Sequence, residues 1–444
     1  MMEIWPFSSS REKQFDRYIQ ACAKLNKFSG VVLVAQGDQV VFSQAIGMAS
    51  YELDVPNVPM TIFQLGSLTK PFTAVALLQL QDAGCLHVKD PLATYMPDFP
   101  HASEITLHHL LTNSSGIFDY VLAPEFQQFM GRQTTVSELI ASFSDRPLEF
   151  TPGDRLSYSN SNWVLLGAII EQLSGQSYNA FLQKHQFQPL GLTHSGYEEV
   201  NSLIKGRASG YFLRDNDIVR SEYDDPTSLY AAGGLHSNVS DVFHWLRALN
   251  KGMLLSQQTS KQMLTPNIAS KEEDKLTYGY GLVIDSDSMH PSISHSGGMH
   301  GYQTLAKYFT EDDLTIVVLN NFENVNVFEV ETALAAIAFG EPYTLPEKRS
   351  FIELDPALAA VYAGEYKGTF GGRTSTLKFF LEDGKFWMHV PPLPKSEMHA
   401  ISATTYFTRV KGEVELTFVV NEQGKVNTID INWSGMPMTA TRLE

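Results

Sequence analysis

The chain has 444 residues, with 32 Lys and Arg against 49 Asp and Glu and a formal charge of −17. A field of that sign repels phosphate backbones and, with no basic stripe, excludes nucleic acid as a partner. At 43% hydrophobic and only 18% charged, the chain can bury a large core and is no solvated polymer, and its length is that of two or three domains.

The opening MMEIWPFSSSREK has neither a basic n-region nor an apolar h-region. It reads as cytoplasmic, and as periplasmic or extracellular if a leader has been removed. Residues 11–27 have helical spacing of Phe15, Tyr18, Ile19 and Cys22. Next, GVVLVAQGDQVVFSQAIG is two β-rich runs joined by Gln36-Gly37-Asp38-Gln39, a hairpin. Residues 68–84 form an apolar helix closed by Gly84. Further helices are predicted at 105–111, 136–143, 162–173, 178–185, 240–249 and 256–264. The longest clean apolar run, 163–170, is too short to span a bilayer. Strands return with TYGYGLVID, SISHSGG and YQTLAKYFTEDDLTIVVLNN, the last a hairpin turning at Glu311-Asp312-Asp313, and a helix over 327–339 follows. Strands at both ends with helices between predict an α+β domain over 1–340, its sheet pairing the N-terminal hairpin with the late strands. Residues 341–355 are polar, proline-bearing and aperiodic, a linker. From 356 to 444, short alternating runs punctuated by Asp383-Gly384, Lys411-Gly412 and Gln423-Gly424 predict a small antiparallel β-barrel.

The chain has no GxSxG, HExxH, GxxxxGK[ST] or GxGxxG string, and its adjacent His108-His109 cannot face one way on a helix. Two cysteines, Cys22 and Cys85, make neither a disulfide framework nor a four-thiolate zinc site. No metal and no cofactor is expected. What remains is Ser-x-x-Lys. A serine hydroxyl is a weak nucleophile that needs an adjacent base, and i, i+3 on a helix brings an amine to it. Within residues 1–340 the string occurs at Ser10–Lys13, Ser67–Lys70 and Ser202–Lys205. Only Ser67 leads into a strongly apolar helix, whose mouth can desolvate Lys70 and lower its pKa; the alternative is an N-capping Ser67 with a solvated Lys70.

Tyr158-Ser159-Asn160 precedes another apolar helix. A phenol near a lysine relays protons, and an Asn amide orients the amine and binds a carbonyl; alone, the string is also an ordinary turn and cap. His295-Ser296-Gly297-Gly298 runs from a strand into glycines, where substrate backbone can approach and an N–H can complete an oxyanion hole. A second His-Ser-Gly at 194–196 lies in a helix-flanked loop and is the poorer candidate.

In order and spacing, Ser67-Leu68-Thr69-Lys70, Tyr158-Ser159-Asn160 and His295-Ser296-Gly297 resemble the penicillin-recognising serine hydrolases: class C β-lactamases, DD-carboxypeptidases, D-aminopeptidases and β-lactamase-fold esterases. The resemblance extends over LHHLLTNSSGIFDY, AAGGLHSNVSDVF and YGYGL, roughly residues 15 to 340. The β-rich tail resembles the lipocalin-like barrel that some members append. The resemblance implies the β-lactamase/transpeptidase-like fold, an antiparallel sheet flanked by helices with a helical region. It makes Ser67 the acylated nucleophile, Lys70 its proton acceptor and Tyr158 the proton shuttle. Asn160, His295, Ser296, Gly297 and Gly298 would bind substrate, with the N–H groups of Ser67 and Gly298 as oxyanion donors, and Tyr120 would line the pocket. His295 stands where the family usually has lysine. A mostly neutral imidazole suits a terminal carboxylate poorly, which favours small esters and D-amino-acid amides or peptides. A DD-carboxypeptidase or weak β-lactamase, and a catalytically silent peptide-binding module, are the alternatives. The expected partner is a small-molecule or short-peptide substrate, and homo-oligomerisation and a barrel capping the cleft are open.

Overall fold

The computed structural model describes residues 9–197, 202–214, 217–269, 277–370, 373–391, 393–410, 412–421, 424–433 and 436–443. Its main sheet is built from both ends of the first 340 residues. The hairpin β1 (Gly30–Gln36) and β2 (Gln39–Ile46) turns at Gly37-Asp38. The late strands are β3 (Val283–Asp285), β4 (Ser292–Met299), β5 (Tyr302–Phe309) and β6 (Leu314–Asn320). The order is Ile268–Ala269, Thr277–Tyr278, β3, β4, β5, β6, β1, β2. Antiparallel β1–β6 pairing, from Gly30 opposite Asn320 to Gln36 opposite Leu314, closes the predicted long-range contact.

Alternation explains why β1 and β6 read as unbroken apolar runs: both faces are buried. Val31, Leu33, Ala35, Val317 and Leu319 face one core. There they meet α2 (Lys70–Asp82), α3 (Asn160–Ser174) and α4 (Val239–Asn250). Val32, Val34, Ile316 and Val318 face another core with Phe15, Ile19 and Leu334, from α1 (Ser9–Lys24) and α5 (Val327–Phe339). Left-handed Asn26 follows the end of α1, short of the predicted residue 27. The predicted strand TYGYGLVID is two short strands, because Gly281 turns the chain at φ +72° between them. The predicted helix from residue 68 begins as an α-helix only at Lys70, behind a 3-10 turn, Gly66–Thr69.

Residues 341–355 carry no helix or strand. Beyond them, among the described residues, nine strands form one antiparallel sheet whose edges are Ser396–Glu397 and His399–Ala400. Only Met398 separates those edges, and Ser396 Oγ meets Thr408 Oγ1 at 2.6 Å beside them, so the sheet curls into a nearly closed barrel. Its interior is filled: Phe418 lies within 4.4–6.2 Å, ring to ring, of Tyr362, Tyr366, Phe379, Phe386 and Tyr406. Asp383-Gly384 turns as predicted, both residues at positive φ. Of the other two predicted turns, Lys411 and Gln423 lie outside the described residues. Among the described residues, no helix is long and apolar enough to cross a membrane.

Candidate active site

Ser67 sits in the Gly66–Thr69 turn and Lys70 opens α2. A 3-10 turn has three residues per turn, so side chains at i and i+3 eclipse. Lys70 Nζ accordingly lies 2.9 Å from Ser67 Oγ. Most of α2 is buried, because it packs against α3 in the core shared with the sheet, and Lys70 is 0% exposed. Burial pulls the amine down from its ordinary 10.5 to about 7, opposed by the nearby Asp119 charge.

The amine has two further partners, Asn160 Oδ1 at 2.8 Å and Ala232 O at 2.7 Å. Both oxygens only accept hydrogen bonds. A neutral amine that gives its two N–H groups to them has its lone pair left for the Ser67 hydroxyl. Asp119 settles which end of the Asn160 amide faces Lys70. Its carboxylate accepts from Asn160 N at 3.0 Å and from Nδ2 at 3.2 Å, so Oδ1 turns to the amine. Tyr158 borders the same group, with Lys70 Nζ 4.8 Å from its ring centroid. Asn113, left-handed at φ +53°, holds the Tyr158 loop. Its Oδ1 accepts from Ser159 N, Asn162 Nδ2 and Trp163 Nε1, and its carbonyl accepts from Ser157 N.

The glycines of β4 let this strand press on the Ser67 turn. A Cβ on Gly297 would lie 1.9 Å from Leu65 O and 2.8 Å from Leu68 N. Gly66, at φ +55°, faces Gly298 so closely that a Cβ would meet its N at 2.9 Å. Pairing of β3 with β4 ends at Ser294, so the β4 edge from His295 to Met299 runs beside Ser67 without that neighbour.

His295 is 5% exposed and both its nitrogens are engaged. Nδ1 is 2.6 Å from Ser296 O, which can only accept, so Nδ1 carries the proton. Nε2 then accepts from the Tyr278 hydroxyl at 3.0 Å. Burial first, then the Lys70 charge, pushes the imidazole down to about 3. His295 is a neutral ring with its polar atoms already paired, stronger grounds against carboxylate recognition than its residue type alone.

Tyr120 corrects a sequence expectation. It does not line the cleft: it is 0% exposed, packs on Phe126 and Phe143, and donates to Ser228 O at 2.5 Å. An aromatic in a largely apolar segment serves the core here. Ser10–Lys13 lies on α1 and Ser202–Lys205 in a loop, apart from this cluster. In the second His-Ser-Gly, His194 N and Ser195 Oγ both donate to Asp241, a structural clamp. His109 caps its own helix and His108 meets the Tyr280 hydroxyl. Asp119, Asn113, Tyr278 and the Ala232 carbonyl received no individual role from the sequence. Each lies inside one of the three framework segments, and a carboxylate within a mostly apolar stretch was the available signal for Asp119.

The sequence model of the family described as beta-lactamase matches residues 15–340. The chain belongs to the beta-lactamase family. Among family relatives, the putative penicillin-binding protein PbpX of Bacillus subtilis is 30% identical over 67% of this chain and 71% of its own. The teichoic acid D-alanine hydrolase of Staphylococcus aureus is 22% identical over 72% of this chain and 76% of its own. The structure of the octameric penicillin-binding protein homologue from Pyrococcus abyssi matches with a TM-score of 0.67 at 25% identity, covering 97% of this chain and 99% of that one. The beta-lactamase-family site opens into a cleft of about 1820 Å³. Ser67, Tyr158, His295 and Gly298 line it, as do Trp387 and Trp433 of the barrel.

Proposed function

We propose that this member of the beta-lactamase family is a serine acyl-hydrolase of the Ser-x-x-Lys type, cleaving small esters and D-amino-acid amides or short peptides through an acyl-enzyme on Ser67. The observation that carries the reading is the fully buried Lys70 amine 2.9 Å from Ser67 Oγ. Ser67 Oγ attacks the acyl carbonyl while its proton passes to Lys70 Nζ. The carbonyl oxygen, now an oxyanion, is held by the N–H groups of Ser67 and Gly298, each worth about 3–4 kcal/mol in the transition state. Tyr158 passes a proton to the departing alcohol or amine, and the C–O or C–N bond breaks. Water then enters, its proton leaves through the same phenol and amine, and the acid is released with Ser67 regenerated. Asn160 orients Lys70 and binds the substrate amide, beside Ser296 and Gly297.

The paired, neutral His295 supports substrates without a terminal carboxylate. The S. aureus relative, named as a hydrolase of teichoic acid D-alanine, supports a D-alanyl acyl group. We also propose a hydrolase domain over 1–340, a linker over 341–355 and a barrel domain over 356–444. Separate apolar cores on either side of the linker support that division. The octamer described for the Pyrococcus abyssi homologue supports a homo-oligomer.

The test is a fluorophosphonate probe read by intact mass, beside a substrate panel. One adduct is expected on the wild-type chain and none on Ser67→Ala, whose melting temperature stays within about 2 °C because a small polar side chain near the surface is shortened. A labelled Ser67→Ala would reject the nucleophile. An unlabelled wild type would mark the chain as a silent module. In the panel, p-nitrophenyl esters and D-alanyl-p-nitroanilide should react faster than nitrocefin or a D-Ala-D-Ala peptide; the reverse order selects the penicillin-binding alternative.

A further inference from the structure

Tyr230 has φ +44°, in the left-handed region where the Cβ of an L-residue crowds its own carbonyl. Such strain persists only where the surroundings over-determine it. The ring is 3% exposed, tilted on Tyr178 at 5.3 Å and edge-on to Tyr197 at 5.9 Å. Gly167 of α3 makes the room, since a Cβ there would meet Tyr230 Cε1 at 2.4 Å. Tyr230 O accepts from Gly234 N at 2.8 Å, which closes the turn.

The next two residues send their carbonyls to one helix. Ala231 O accepts from Thr73 Oγ1 at 2.8 Å, and Ala232 O accepts from Lys70 Nζ at 2.7 Å. Thr73 is tied in turn to the Tyr178 hydroxyl at 2.6 Å. Tyr230 therefore anchors, by its ring and its backbone, the turn that presents an acceptor to Lys70.

We propose that Tyr230 is a positioning residue for the Ser67–Lys70 pair: its left-handed bend, locked by the buried ring, holds the Ala232 carbonyl where it takes one N–H of Lys70 and leaves the lone pair to Ser67. This rests on Lys70 being the base. Tyr230 touches no reacting atom.

The test compares Tyr230→Gly, Tyr230→Phe, Thr73→Val and Lys70→Met in the full chain by the rate of fluorophosphonate labelling from pH 5 to 9. Glycine adopts the bend without strain but has no ring to lock it. Its labelling rate should fall about 10–100-fold, the scale of a misplaced reacting group, with circular dichroism unchanged. The rising limb should move below that of the wild type, because a carbonyl that favoured the ammonium form is displaced. The other groups around Lys70, namely Asp119, Tyr158 and His295, are the same in both proteins. Tyr230→Phe, which keeps the ring, should label within about twofold of the wild type. A folded Tyr230→Gly with wild-type rate and limb overturns the proposal. If that variant does not fold, Thr73→Val, which cuts the tie to Ala231 O, should show the same displaced limb, and an unmoved limb overturns the proposal equally. Wild-type labelling by Lys70→Met rejects Lys70 as the base instead.

Discussion

In the proposed mechanism Lys70 combines two demands that oppose each other in water: it must be an amine basic enough to take a proton and yet be uncharged near neutral pH. Burial resolves them by lowering its pKa to about 7. The sign follows directly. Below pH 7 the amine is protonated and cannot accept from Ser67; above it the neutral form dominates. The kcat/KM for an ester should therefore rise through about pH 7 to a plateau, and His295, pushed to about 3, adds no second limb between pH 5 and 9. A flat profile over that range would show that Lys70 does not act as the base. Lys70→Met should lower the acylation rate about 10²–10⁴-fold. His295→Lys places an ammonium between the Tyr278 hydroxyl and the Ser296 carbonyl. Reaction with carboxylate-bearing substrates should gain relative to neutral esters, and an unmoved ratio would mean that position 295 has no part in substrate choice.

Two elements meet backbone to backbone at the site, the Ser67 turn and β4, and glycine makes the meeting feasible. A methyl on Gly297 would lie 1.9 Å from Leu65 O, a backbone atom that no rotamer can move. Gly297→Ala should push β4 away from the turn, cost about 1–3 kcal/mol of stability and, by displacing Gly298, lower kcat by about 10²–10³-fold. Thermal denaturation and ester turnover check both parts. The Asp119–Asn160 contact works between elements in another way, fixing the start of α3 and the amide that faces Lys70. Asp119→Ala should reduce kcat about tenfold or more and raise KM with it, since it acts through Asn160, which both orients Lys70 and binds the substrate amide. A pure KM effect would place Asp119 at the substrate instead.

At the scale of the whole molecule, the barrel interior is packed with aromatic rings, which leaves its outer face for function. Trp387 and Trp433 lie along the cleft that reaches Ser67. Removing residues 351–444 should raise kcat/KM for bulky acyl substrates relative to small ones, and size-exclusion chromatography should reveal any change of assembly. An unaltered substrate range and size would separate the barrel from both roles.

Local pattern determined much of this protein. Period-2 and helical hydrophobicity marked the hairpin, α5 and the late strands, because an element's buried face is written in adjacent residues. The strings at Ser67, Tyr158 and His295 marked residues that line one cleft, since chemistry constrains residue type over three or four positions. Tertiary structure alone decided what those residues experience. The partners of Lys70, Asn160 and Ala232, lie 90 and 162 positions away, and no local pattern encodes the burial they enforce. Pairing with Tyr278 silences His295, and packing on Phe126 and Phe143 draws Tyr120 into the core. Desolvation and hydrogen-bond geometry are properties of an assembled interior, so they became readable only when the distant segments stood side by side.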